Sequence, residues 1–536
     1  MSELLLGDEA VGLAAIDAGI SGMFGYPGTP STEIFEFVQG RVRDNPDVVA
    51  HWSSNEKVAY EEAMGMSFAG KRAMVSMKHV GLNVAMDPFM SSALTGARGG
   101  LILAVADDPG MHSSQNEQDS RVLGDFASIP MFEPCNQQEA YDMVREAFEY
   151  SERMAMPVIV RLVTRLAHSR ARVQTSPPSK AEPIKTPADW RQWTLLPVNA
   201  RARYRRLIDL VPKMRDYSEH SPFNKLELRG PKGIITTGIA YNYVREVIGF
   251  DSDYSLLKIN TYPAPTQLIR DLVNHCQDIL VIEEGYPYLE TQINGAMGVP
   301  GRAIRGKRSG ALQMDGEMTV ERVRVALGMQ ALKTLEPEGD LPSRPPRLCE
   351  GCPHSDTFKA IVDAVAKDAT PMLMSDIGCY TLGALPPYNA VHTCVDMGAS
   401  ISMALGAAKA GAHPIICTIG DSTFTHSGMT GLISAARADA NMTVVILDNA
   451  TTAMTGGQDI LASGDDLLLL LKGLGVKEDH LITMQPMAKL HAQNVELFRR
   501  EINHRGLSVI VAYRACIQST RKAVQTAAAA RKAVEA

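Results

Sequence analysis

The 536-residue sequence predicts an α/β protein made of several doubly wound parallel-sheet domains. Three observations carry this. Short apolar runs such as LILAVA (101–106) alternate with longer amphipathic stretches, the pattern of buried parallel strands joined by crossover helices. Two Pro-rich stretches, TSPPSKAEPIKTP (175–187) and LEPEGDLPSRPP (335–346), punctuate the chain as linkers. A hydrophobic share of 45% against 21% charged is that of an ordinary globular protein, enough to give several domains their own cores.

Taken in chain order, 73–77 and 101–106 read as strands and 59–69 and 138–150 as helices, within a first domain at 1–175. Segment 176–229 reads as a linker with an Arg-rich helix near 200–214, its charges a solvated face. A second domain at 230–334 has strands at 232–237 and 278–282 around a helix at 241–248. After the linker 335–346, a third domain at 347–517 has strands at 371–375, 415–419, 443–447 and 508–512. Helices at 399–410 and 428–438 lie between them, and 518–536 is an Ala-rich tail of helix formers with little to bury.

Charge and hydropathy exclude several classes. The net charge is −7 with the signs interspersed, so no basic patch argues for nucleic acid. The most apolar run, 467–471, is far below the ~18 residues a membrane span needs. The N-terminus MSELLLGDEAVG has no basic region and no long apolar core, which predicts a cytoplasmic protein. Eight cysteines in that compartment are free thiols available to a metal or cluster rather than a disulfide framework.

The chemistry concentrates in the third domain. Gly420-Asp421-Ser422 closes one apolar run, and Asp448-Asn449-Ala450-Thr451 closes the next, one helix later. A Gly-Asp-Ser turn lets backbone amides approach phosphate oxygens, and the adjacent carboxylate can hold a hard divalent cation such as Mg²⁺. Asp421 and Asn449 would stand at the carboxyl ends of adjacent parallel strands, where open α/β sheets bind ligands.

Gly420-Asp421-Ser422 followed 28 residues after Asp421 by Asn449 resembles the thiamine diphosphate motif. The surrounding MGASISMALGAAKAG, TIGDSTFTHSGMTGLISAARADANMTVVILDN and TAMTGGQ resemble the large (α) subunit of the indolepyruvate ferredoxin oxidoreductases. That is a branch of the 2-oxoacid:ferredoxin oxidoreductases. FGYPGTPSTE (24–33), NEKV (55–58), MKHVGLNV (77–84) and ADDPGMHSSQNEQD (106–119) resemble the N-terminal domain of the same family, so the likeness covers most of 5–517.

The resemblance implies a thiamine diphosphate-binding fold with a pyrimidine-binding, a transketolase C-terminal-like and a diphosphate-binding domain, in that order. It implies that Asp421, Asn449 and the Thr451 carbonyl hold Mg²⁺. Gly420, Ser422, Gly398 and Gly378 would lie against the cofactor. Glu56, rather than its neighbours Glu61 or Glu62, would match the glutamate that hydrogen-bonds the aminopyrimidine ring and so promotes deprotonation of the reacting carbon. Thr29 in the YPGTPS loop would match a threonine that contacts substrate or cofactor. His79 is a further candidate near the reacting carbons, and Arg98 or Arg121 for the substrate carboxylate.

RLCEGCPHSDTF (347–358) contains Cys349 and Cys352, whose spacing alone admits a redox dithiol, half a zinc site, part of an iron–sulfur cluster or two buried thiols. His354 lies too close to Cys352 for a usual zinc finger. The resemblance implies the cluster. Cys349 and Cys352, with Cys379 in SDIGC and Cys516 after the last apolar run, would hold a [4Fe–4S] centre. Cys135, Cys276, Cys394 and Cys417 sit in or beside apolar stretches and read as core thiols. Full-length relatives of this type continue into a ferredoxin-like segment with two further cysteine runs, whereas this sequence has no cysteine after Cys516. The expected remainder of the relay is therefore a partner or a separate ferredoxin.

The implied activity is oxidative decarboxylation of an aryl 2-oxoacid, of indolepyruvate or phenylpyruvate type, to the acyl-CoA. The implied assembly is a hetero-oligomer with a small β- or γ-like subunit. Two alternatives share parts of the pattern. A non-oxidative thiamine diphosphate-dependent decarboxylase keeps Asp421, Asn449 and Glu56 but needs no cluster. A non-catalytic scaffold keeps only the fold.

Overall fold

The computed structural model describes residues 2–184, 189–332, 339, 345–365 and 370–521. The chain forms two compact units, Met1–Glu336 and Pro337–Ala536. Residues 185–187 and most of 335–344 in the expected linkers, and 522–536 of the expected tail, lie outside the described residues.

Unit 1 holds two main sheets. The larger has seven strands in the order Thr261–Tyr262, Met131–Phe132, Val158–Val163, Leu101–Asp107, Ala73–Lys78, Gly22–Gly25, Val49–Trp52. All pair in parallel except the first, which runs antiparallel to Met131–Phe132. Leu101–Asp107 is buried at every position, as a central parallel strand covered on both faces must be. The helix Gln137–Met154 shows why the crossovers form. Asn136 caps it by accepting the Glu139 amide at 2.9 Å, and Ala140, Tyr141, Val144, Ala147, Phe148 and Ser151 recur at helical spacing along its buried face. It ends where Ala155 turns left-handed, at φ 50°.

The second sheet has five strands ordered Ala303–Arg305, Asp278–Ile282, Lys232–Thr237, Ser255–Ile259, Lys225–Glu227, the last antiparallel. It starts five residues before the expected boundary at 230. The two sheets do not stand apart as the sequence suggested. Thr261–Tyr262 follows a strand of the second sheet directly and pairs into the first. The Arg-rich helix, Pro197–His220, buries Leu207, Met214 and Ser218, and Ser218 Oγ donates to the Thr261 carbonyl. Its charges are not all solvated either: Arg206 is half-buried and donates to the Met154 and Ala155 carbonyls at 3.0 Å.

Unit 2 is one five-stranded parallel sheet: Met372–Ser375, Ile415–Gly420, Met442–Asp448, Leu507–Tyr513, Leu481–Met484. The edge strand Leu481–Met484 was missed in the sequence because it is short and only its last residue is buried. Helices Ala399–Lys409 and Met429–Arg437 fall between the strands as expected. A third helix, Pro353–Ala364, begins immediately after Cys352 and packs Phe358 and Ile361 with Phe498 and Ile502.

Candidate functional site

Strand register builds the site in unit 2. Gly420 pairs with Leu447, so the next residues along, Asp421 and Asp448, emerge side by side at the carboxyl edge of the sheet. Asp421 is buried, and its carboxylate accepts three backbone amides: Ser422 at 2.7 Å, Asn449 at 3.0 Å and Ala450 at 2.8 Å. Burial, then the charge of Asp448, pushes the Asp421 carboxyl up to about 8. Asp448 lies against it, sharing the Ala450 amide at 3.2 Å and accepting from Ser463 Oγ and the Gly464 amide at 2.7 Å each. Two buried carboxylates on adjoining strands, beside an Asn amide oxygen, form an all-oxygen set that a divalent cation would neutralise. The residues therefore fit Mg²⁺. Asn449 is held by its own side chain, Oδ1 accepting the Thr451 amide and Nδ2 lying 3.2 Å from His354 Nε2. Burial lowers His354 to about 4, so its imidazole is neutral and accepts the amide proton. The Thr451 hydroxyl donates to the Gln458 carbonyl, which leaves the Thr451 backbone oxygen as the candidate ligand.

The glycines have definite local reasons. A Cβ at Gly420 or Gly378 would run into the Tyr380 ring, at 2.8 and 2.2 Å. Gly398 caps the helix Ala399–Lys409 at φ +88°, and a Cβ there would meet Ser427 and the Gly428 amide. Tyr380, which the sequence reading did not single out, donates from its hydroxyl to Asp376. Burial pushes Asp376 up to about 6. Immediately beyond Asp421 the helix passes through a π-turn at Phe424–Gly428, a local expansion common at functional sites.

The four cysteines come from three distant segments and converge. Burial pushes Cys379 up to about 12, with Cys352, Cys516 and Cys349 each adding to the rise. Cys352 is raised by burial too, with Cys349 and Cys516 as further contributors. Four thiols gathered around Cys352 and Cys379 are a donor set that would suit a cubane cluster, whose iron would hold them as thiolates. The Cys516 amide donates to the Asn449 carbonyl at 2.9 Å, so the cysteine set and the cation set share a backbone link. Cys349 and Cys352 open onto a cleft of about 670 Å³ that Lys359 and Gln518 also line. Of the expected core thiols, Cys135, Cys276 and Cys417 are buried, while Cys394 is half-buried against Thr381.

In unit 1 the named residues again gather at the carboxyl ends of strands. Glu56 opens the helix Glu56–Phe68, capped by Asn55, and is buried rather than the exposed residue typical of a first turn. Gly81 lets the chain close over it: a Cβ there would stand 2.7 Å from Glu56 Oε1. Glu61 is exposed and pairs with Lys57, and Glu62 binds His51 and Ser53, so neither competes. Thr29 sits in the loop after Gly22–Gly25, where its carbonyl accepts Ser113 Oγ at 3.2 Å. His79 is buried just past Ala73–Lys78, with Nε2 3.2 Å from the Asn116 carbonyl and Nδ1 without a partner among the described residues. Burial lowers its pKa, which favours a neutral ring.

Both arginine candidates for a substrate carboxylate need correction. Arg121 is fully buried and committed, to Asp119 at 2.6 Å, Glu283 at 3.1 Å and the Glu284 carbonyl at 2.7 Å. Arg98 lies on the turn entering Leu101–Asp107, at the amino ends of the strands and so at the opposite edge from Thr29, Glu56 and His79.

Comparison with known proteins matches both units to thiamine diphosphate enzymes. Residues 376–510 match the thiamine pyrophosphate enzyme C-terminal binding domain, and 13–204 match the thiamine diphosphate-binding family of pyruvate flavodoxin/ferredoxin oxidoreductases. The class is thus a thiamine diphosphate-dependent 2-oxoacid oxidoreductase. The chain is 38% identical to the indolepyruvate oxidoreductase subunit IorA of Archaeoglobus fulgidus, over 96% of its own length and 86% of the relative's. It is 37% identical to the subunit of the same name from Pyrococcus abyssi, over 96% and 85%. It belongs to the IorA family of indolepyruvate oxidoreductase subunits. A solved 2-oxoglutarate:ferredoxin oxidoreductase from Magnetococcus marinus shares the fold at 16% identity, with a TM-score of 0.50 over 61% of this chain and 65% of that one. Among the described residues no helix is long and apolar enough to cross a membrane.

Proposed function

We propose that this chain is the thiamine diphosphate- and cluster-bearing subunit of an enzyme that converts an aryl 2-oxoacid, of indolepyruvate or phenylpyruvate type, to its acyl-CoA and CO₂. The two electrons released go to ferredoxin or a comparable acceptor, and a small β- or γ-like partner subunit completes a hetero-oligomer. The observation that carries the oxidative reading is the convergence of Cys349, Cys352, Cys379 and Cys516.

Thiamine diphosphate, when bound, supplies the electron sink for loss of CO₂ from the 2-oxoacid. Asp421, Asn449 and the Thr451 carbonyl would hold Mg²⁺, and the backbone at Gly420, Ser422, Gly398 and Gly378 would lie against the diphosphate. Glu56, buried and closed over by Gly81, would hold a proton at a pyrimidine ring nitrogen in a water-poor setting. His79 offers an unpartnered neutral nitrogen for hydrogen bonding to the substrate. Thr29 would orient cofactor or substrate from its loop. The four cysteines would hold a [4Fe–4S] centre that accepts single electrons.

Iron and acid-labile sulfide on anaerobically purified protein test this directly. About four of each per chain is expected, the content of one cubane, with most of it lost in Cys516→Ser. Little or no iron in intact, thiamine-loaded wild type would reject the cluster and leave non-oxidative decarboxylation as the reading. For Glu56→Gln, kcat with an artificial acceptor should fall ~10²–10⁴-fold, the usual worth of a positioned proton-transfer group. Thiamine diphosphate affinity should change only a few-fold. Equal losses in both would make Glu56 a binding residue.

A further inference from the structure

Beside the Thr29 loop, and outside the residues assigned above, Asp8, Glu33 and His168 bring one oxygen, one oxygen and one ring nitrogen within 4.8 Å of one another. They come from three elements: the helix Gly7–Asp17, the helix Thr32–Val42 and the end of the short helix Thr164–Ala167. His168 Nε2 and Glu33 Oε2 are 3.5 Å apart. Ligand bonds of ~2.0–2.1 Å around a tetrahedral ion place donor atoms about 3.4 Å from each other. Asp8 is completely buried, and neither of its carboxylate oxygens has a hydrogen-bond partner among the described residues. The carboxylates beside this group are already satisfied. Glu9 takes the Leu6 amide at 2.8 Å and Arg170 at 3.2 Å, and Asp108 takes Thr164 and Ser114.

A buried carboxyl with two orphaned oxygens, beside a second carboxylate and an imidazole, is a donor set that a cation would satisfy. Glu33 and His168 remain about one-third exposed, at 37% and 35% of their side chains, which leaves an entry path and room for water as further ligands. The geometry points to a divalent transition-metal site formed by Asp8, Glu33 and His168. Imidazole in the set favours such an ion over Mg²⁺, which prefers oxygen and retains its waters. Without the metal, burial, then Glu33, then Glu9 raise the Asp8 carboxyl well above its ordinary range, so metal binding displaces a proton. The ion would tie the start of Thr32–Val42, three residues past the loop carrying Thr29, to the first helix of the chain.

The test uses full-length protein saturated with thiamine diphosphate and excess Mg²⁺, which fills the Asp421 site, and Mn²⁺ as the probe. Mn²⁺ has little affinity for thiolates, so the four cysteines do not interfere. One equivalent of tightly bound Mn²⁺ is expected, with spin-echo modulation from an imidazole nitrogen. His168→Gln should weaken it at least tenfold and remove that modulation. Asp8→Asn should abolish the Mn²⁺-induced rise in Tm. A wild type holding no Mn²⁺ against Mg²⁺ would overturn the site. So would bound Mn²⁺ that is indifferent to either substitution.

Discussion

Asp421→Asn is expected to weaken Mg²⁺-dependent binding of thiamine diphosphate by at least ~100-fold, since losing even an outer-shell partner of a metal ligand costs ~10–100-fold. The apo protein should remain folded. Two effects of the substitution oppose each other there. Above about pH 8, where the buried carboxyl raised by desolvation and by Asp448 ionises, the substitution removes an unfavourable charge. The amide replaces one acceptor oxygen by a donor, facing either the Ser422 amide or the pair from Asn449 and Ala450, at a cost of about 1–3 kcal/mol. Thiamine diphosphate titration at millimolar Mg²⁺ reads the first effect and chemical denaturation the second. Unchanged cofactor affinity would remove Asp421 from the cation site.

The same residue sets a pH dependence. Its folded pKa lies above the unfolded value, so its contribution to apo stability is fully present below about 4 and is lost as pH rises through about 8. A cation needs the ionised form, so Mg²⁺ affinity should rise with pH across that window, and Mg²⁺-induced stabilisation with it. Asp421→Asn should flatten both trends.

Much of this site is legible in the sequence because its parts lie where strands end. GDS and DN follow mostly apolar, fully buried runs, and the parallel register, Gly420 against Leu447, then sets Asp421 beside Asp448. Glu56 is legible only through family resemblance: nothing local distinguishes it from a first-turn glutamate until Gly81 is seen to pack on it. His354 and Tyr380 were hidden for a different reason. His354 matters through a contact 95 residues away, to Asn449, which spacing does not encode, and Tyr380 through a turn contact with Asp376 that no periodic pattern marks. Arg121 shows the converse error. An arginine in a motif-rich loop invites a substrate role, but burial beside Asp119 and Glu283 commits it to the fold. The unity of the two sheets in unit 1 was equally unreadable, because Thr261–Tyr262 is a two-residue strand and the groups bridging the sheets are scattered along the chain.

Those bridging groups carry the second large expectation. Arg161→Ala should destabilise unit 1 by ~3–5 kcal/mol, the cost of stripping one partner from a buried ion pair. Arg161 is fully buried on the strand Val158–Val163, bonded to Asp107 at 2.7 Å and Glu133 at 2.5 Å, with Asp119 at 3.6 Å. Asp119 and Glu133 also meet Arg121, which reaches Thr237 and Glu283 at the ends of second-sheet strands. Acids outnumber bases here even with Lys307, and burial pushes Glu284 up to about 7 and raises Asp107. Removing one guanidinium therefore leaves Asp107 and Glu133 without their nearest cation in a dry interior, which hydrophobic contacts cannot offset. The double variant Arg161→Met with Asp107→Asn separates charge from packing. Recovery of half or more of the loss in urea unfolding identifies unpaired charge as the cost. A double variant as unstable as the sum of its parts would mean that the guanidinium matters for its shape, and that packing rather than the ion network joins the two sheets.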